Sequence, residues 1–142
     1  MRSICSETDI ERIARGLIDR SLPKSEWTHA AHFAVALWLL RDRGLGAMVE
    51  MPGLIRAYNE STGVPNSDTS GYHETITLAS LRAGDAWLSA RPHAPLHVAL
   101  GELLDSAYGR SDWPLTYWSR ELLFSAAARR EWVDPDLRPL PF

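Results

Sequence analysis

The apolar positions of this chain recur mostly at helical spacing. Ile10, Ile13, Ala14, Leu17 and Ile18 fall on one face, with Ser6 placed as a cap and Asp9 as a first-turn carboxylate. This predicts a first helix, and Ser21-Leu22-Pro23-Lys24 a turn. Thr28 or Ser25 then caps a second helix through Phe33, Ala34, Leu37 and Leu40 to Arg43, where Gly44 stops it. From Ala30 to Leu40 that helix is apolar on nearly every side, so it is expected to be central and most buried.

A third helical stretch runs from about Leu45 to Asn59, and Pro52-Gly53 is expected to kink or split it. Ser61 to Gly71 contains turn and cap formers and reads as the longest loop. Thr69 or Ser70 caps a fourth helix, Tyr72 to about Ala90, with Ile76, Ala79, Ala83 and Trp87 as its stripe. A fifth follows Pro92 and Pro95 and ends near Gly109. Asp112-Trp113-Pro114 opens one short helix, and Ser125 caps another through Trp132. The tail from Asp134, with three prolines, is expected to lie extended, held by Leu137, Leu140 and Phe142. No run alternates as a strand would, and no repeat of 20 to 50 residues occurs. The expected fold is all-α: one domain over residues 1–142, a compact bundle of about five main helices with short C-terminal helices and an extended Pro-rich tail.

Length supports that reading. A chain of 142 residues buries on the order of two-thirds of its unfolded surface in one core. Fifteen Lys+Arg against 18 Asp+Glu, interspersed, give a net charge of −3, without the basic patch that nucleic acid or an anionic membrane attracts. The opening Met1-Arg2-Ser3-Ile4-Cys5-Ser6 lacks the apolar core of a secretory signal, and Ala34 to Leu40 falls far short of the ~18 residues that span a bilayer. A cytoplasmic location is expected. The lone Cys5 has no partner for an internal disulfide. Six tryptophans are many for this length; Trp38 and Trp87 are read as core, and Trp27, Trp113, Trp118 and Trp132 as element-end residues open to an interface role.

The histidines concentrate the chemistry. In a bundle with short connections successive helices run antiparallel, so the second and fourth start at the same end. This brings His29 and His32, which share a face at i, i+3, towards His73, and leaves His93 and His97 at the other end. Asp68 and Glu74 supply carboxylates nearby, and Trp27, Tyr58 and Tyr72 aromatic walls. That is the anatomy of a small-molecule site.

Three readings follow. In the first, His29, His32 and His73 ligate a divalent metal such as zinc, with Glu74 as base for its bound water; two helix N-termini oppose a cation there, and Glu74 or Asp68 would have to offset them. In the second, a small molecule, anionic or carbonyl-bearing, is held without metal, and His29 or His73 orients or deprotonates it. In the third, the histidines are structural and the chain is a non-catalytic interaction module or homodimer.

Four stretches resemble a family of small bacterial helical proteins with no established activity: Glu26-Trp27-Thr28-His29-Ala30-Ala31-His32, Tyr58-Asn59-Glu60-Ser61-Thr62-Gly63, Gly71-Tyr72-His73-Glu74-Thr75-Ile76-Thr77 and Leu123-Phe124-Ser125-Ala126-Ala127-Ala128-Arg129. The closing Pro135-Asp136-Leu137 belongs to the same resemblance, which implies one compact cytoplasmic domain. Histidines drawn from different bundle helices also resemble, more loosely, the DinB-like four-helix bundles, whose three-histidine site implies a metal at His29, His32 and His73.

Overall fold

The computed structural model describes residues 4–142; the expectation resting on Met1 to Ser3 lies outside them. Among the described residues the regular structure is all helical, with no strand. Five longer helices follow in order: α1 (Glu7–Ile18), α2 (His29–Arg43), α3 (Ala47–Ser61), α4 (Glu74–Ser89) and α5 (Leu96–Asp105). Two short ones, α6 (Arg120–Leu123) and α7 (Ala126–Arg130), close the chain. Single 3₁₀ turns lie at Lys24–Glu26, Gly44–Gly46, Ala107–Gly109 and Trp113–Thr116.

Capping serines and threonines set the starts. Ser6 accepts from the Asp9 amide and Thr28 from the Ala31 amide, each satisfying one donor of a first turn. Ser119 and Ser125 do the same for α6 and α7. The Ser125 cap matches the sequence reading, although α7 stops at Arg130. The α6 helix was not legible, because four residues are too few to show a period.

The centre is α2. Ala31, Phe33, Ala34, Val35, Ala36, Leu37, Leu39 and Leu40 are all buried along it, and it packs mainly on α4 and α1 while also touching α3 and α5. A helix apolar all round has to be enclosed on several sides to remove that surface from water. The contact with α4 is close at Gly84, where a Cβ would lie 3.0 Å from Leu40 and 3.1 Å from Leu37.

Three expectations are corrected. The α3 helix is not split at Pro52 but continues through it, although a proline inside a helix removes a hydrogen bond and costs about 3 kcal/mol. Ala47, Met51, Ile55 and Tyr58 form one buried stripe across the proline, and their burial outweighs that cost. Of the tryptophans read as element-end residues, Trp118 and Trp113 are buried, while Trp38 and Trp87 pack against the core only half-buried. Trp118 sits at the crossing of α6 and the tail, donating to the Val133 carbonyl at 3.0 Å. The tail is indeed non-helical, but Leu137 is exposed. Leu140 and Phe142 pack against the core as expected, Phe142 on Tyr108, and Asp136 adds a further hold, accepting from the Ser119 amide and hydroxyl at 2.7 Å each.

No helix among the described residues is long and apolar enough to cross a membrane.

Candidate functional site

The starts of α2 and α4 lie at the same end, and between them, α3 and the 62–73 loop is a cleft of about 360 Å³. Trp27, His32, Tyr58, Tyr72, His73 and Lys24 contribute to its wall. A second hollow of about 240 Å³ adjoins it, lined by Thr28, His29, Ser80, Ser111 and Trp113. Trp27, His32 and Ile76 line both. His97, by contrast, lies against Glu7, Nδ1 to Oε1 at 3.0 Å, where α1 and α5 begin.

The three histidines have different surroundings. His73, not Thr69 or Ser70, caps α4: its Nδ1 accepts from the Ile76 amide at 3.1 Å. Its Nε2 donates to the Leu123 carbonyl oxygen at 2.7 Å. One acceptor and one donor fix the neutral tautomer, and burial lowers its pKa further, the Leu123 carbonyl working the other way. His29 donates from Nε2 to the Tyr108 carbonyl at 2.8 Å and meets Phe33 edge-on.

His32 has no hydrogen bond to either ring nitrogen among the described residues. Its ring stands 5.3 Å from that of Trp27. Burial, reinforced by the neighbouring His29, pushes its pKa down to about 4, so it is neutral near pH 7.

Among the described residues no group of three or more His, Cys, Asp or Glu side chains is arranged to hold a metal ion. The topology brings the helix starts together as expected, but both nitrogens of His73 and one of His29 are turned to main-chain partners.

The remaining residues divide between wall and surface. Trp27 and Tyr58 meet in a tilted contact, ring centroids 5.8 Å apart, and the Tyr58 hydroxyl donates to the Leu22 carbonyl at 2.7 Å. Burial and the nearby Glu26 carboxylate raise the Tyr58 pKa. The buried Tyr72 donates from its hydroxyl to Glu74 Oε1 at 2.5 Å, and burial together with this carboxylate holds its phenol far above the ordinary range. Glu74, the expected base, is thus engaged by Tyr72 and does not line the cleft. Asp68 is on the surface in a salt bridge with Arg130, which lowers its pKa.

Two contributors were not anticipated. Asn66 ties the loop: its Oδ1 accepts from the Asn59 side chain and the Tyr72 amide, each at 3.0 Å, and its Nδ2 donates to the Arg56 carbonyl. Arg129 reaches back from α7 to donate to the Gly71 carbonyl at 3.0 Å. An Asn in a turn-rich run was the one sequence signal for the first; a contact across 58 residues leaves none for the second.

Comparison with protein-family models, with curated proteins and with solved structures gave no match.

Proposed function

We propose that this chain binds a small organic molecule in the double cleft, with His32 as the polar group that orients it. The observation that carries this reading is the contrast among the histidines. His73 and His29 spend ring nitrogens on the main chain, whereas His32, on the wall shared by both hollows, has a donor and an acceptor without protein partners. A half-buried imidazole that gives up hydration loses free energy unless a partner returns those hydrogen bonds. A ligand seated against it supplies them, and aromatic walls with few polar groups are usual for small-molecule sites of this size.

Binding is favoured over acid–base catalysis. An efficient general base has a pKa near the working pH, and His32 at about 4 lies well below it. Glu74 is occupied by Tyr72, so neither of these two groups stands as a poised proton acceptor.

The test is a thermal-shift screen of small organic molecules against the wild-type chain and His32→Gln. Gln occupies similar space and sacrifices no protein hydrogen bond. Compounds that raise the wild-type Tm are expected to lose that effect in the variant. Equal stabilisation of both proteins would remove His32 from the site.

A further inference from the structure

We infer that the molecule taken by this cleft is a compact organic anion, a carboxylate carried on a flat apolar body, with its charge directed to Lys24 and its body lying against Trp27 and Tyr58. The inference rests on the cleft being a binding site and adds the class of ligand.

The charges around the cleft argue for it. Neither hollow is lined by an Asp or Glu side chain, and Lys24 is the one Lys or Arg on either wall. Lys24 is exposed and has no ion-pair partner among the described residues. The flanking carboxylates are engaged elsewhere: Glu26 accepts from Arg12 at 2.9 Å, and Glu74 from the Tyr72 hydroxyl. Two further cations stand behind the wall. The Arg56 guanidinium lies over the Tyr72 ring at 4.3 Å, and Arg129 is bonded to the Gly71 carbonyl. Of these groups, Lys24, Arg56, Arg129 and Arg12 outnumber the carboxylates Glu26 and Glu74, so the cations are in excess beside the larger hollow although the whole chain is acidic. A cationic ligand would find no counter-charge on the wall.

The shape argues for the body. Trp27 and Tyr58, in tilted contact with ring centroids 5.8 Å apart, form with Ile55 and Ile76 one apolar wall against which such a body can lie. His32, neutral near pH 7, adds no charge of its own and can donate one hydrogen bond to a carboxylate oxygen. Lys24 then supplies the charge-assisted contact.

The experiment titrates the full chain near pH 7.5 with benzoate, benzamide, benzamidine and inorganic phosphate, each to millimolar concentration. Heat is measured for affinity, and the ¹⁵N shifts of the His32 ring are followed for location. Benzoate is expected to move the His32 signals and to bind more tightly than benzamide, of nearly the same shape. Lys24→Gln is expected to weaken benzoate by about fivefold, the worth of roughly 1 kcal/mol for one exposed charge contact, and to leave benzamide unchanged. Benzamide or benzamidine binding as well as benzoate, or benzoate indifferent to Lys24→Gln, would overturn the anionic class while the moving His32 signals kept the cleft as a site. Phosphate binding more tightly than benzoate would overturn the flat apolar body. No binding by any of the four, with the His32 signals unmoved, would overturn the ligand class and the binding site together.

Discussion

His73 Nε2 and the carbonyl oxygen of Leu123, 50 residues apart in the chain, are joined by a hydrogen bond of 2.7 Å. The same ring caps α4 through its other nitrogen, so one side chain both starts a helix of the bundle and anchors the C-terminal region to it. His73→Ala removes both bonds and leaves the Leu123 carbonyl unpaired. A loss of about 2–3 kcal/mol is expected, a cap plus an orphaned acceptor. His73→Asn keeps a capping oxygen and should recover about half. Urea unfolding of the three proteins checks this; equal stability of wild type and alanine variant would contradict the structural role.

Stability should fall with acid in a window set by His32. Its folded pKa of about 4 lies below the ordinary value of 6.5, so the unfolded chain binds the proton more readily. The contribution of the neutral ring is complete above pH 6.5, declines as pH drops, and is gone below about 4. The size is on the order of 3 kcal/mol, from a pKa lowered from 6.5 to about 4. His32→Gln should flatten the stability profile between pH 6.5 and 4.5, measured by urea midpoints at each pH. An unchanged slope would mean that other groups carry it.

Gly71 holds the cleft loop at φ +77°, and a Cβ there would lie 2.5 Å from the Pro65 carbonyl and 2.6 Å from Asn66 Oδ1. Gly71→Ala should cost about 1–3 kcal/mol through left-handed strain and displacement of Asn66. It should also weaken any ligand of the cleft, which Asn66→Ala would reproduce without the backbone strain. Ligand titration of both variants separates the two contributions.

Trp118→Ala should be among the most destabilising single changes, about 3–5 kcal/mol, since a fully buried indole bonded to Val133 is replaced by a void. Asp68→Asn, by contrast, removes an exposed salt bridge and should leave both Tm and ligand response near wild type. A collapse of ligand binding in Asp68→Asn would return that carboxylate to the site.

Helix order and the juxtaposition of the α2 and α4 starts were legible because they rest on local periodicity and on short connections. The Thr28 cap and the mostly apolar stretch Ala30 to Leu40 were clear for the same reason. What was hidden depended on partners distant in sequence. Nothing in Gly-Tyr-His-Glu marks His73 as a helix cap, because histidine is not a usual capping residue and its second bond is to Leu123. Glu74 reads as a base beside histidines until Tyr72, two residues before it, is seen to bond it. Trp118 looks like an element-end residue because burial by the tail cannot be read from the helices around it. His32 could be placed in the group, but that it alone keeps its nitrogens free required knowing where His29 and His73 turn.

The Asn66 side chain, bonded to Arg56, Asn59 and Tyr72, gives the segment between α3 and α4 the character of a fixed rim. A ligand entering this cleft has no wall to assemble, so little of its affinity is spent on ordering the chain. Arrival should follow a single exponential whose rate rises in proportion to ligand concentration, without the plateau that a slow closing step imposes. Release alone would then set how long the molecule stays.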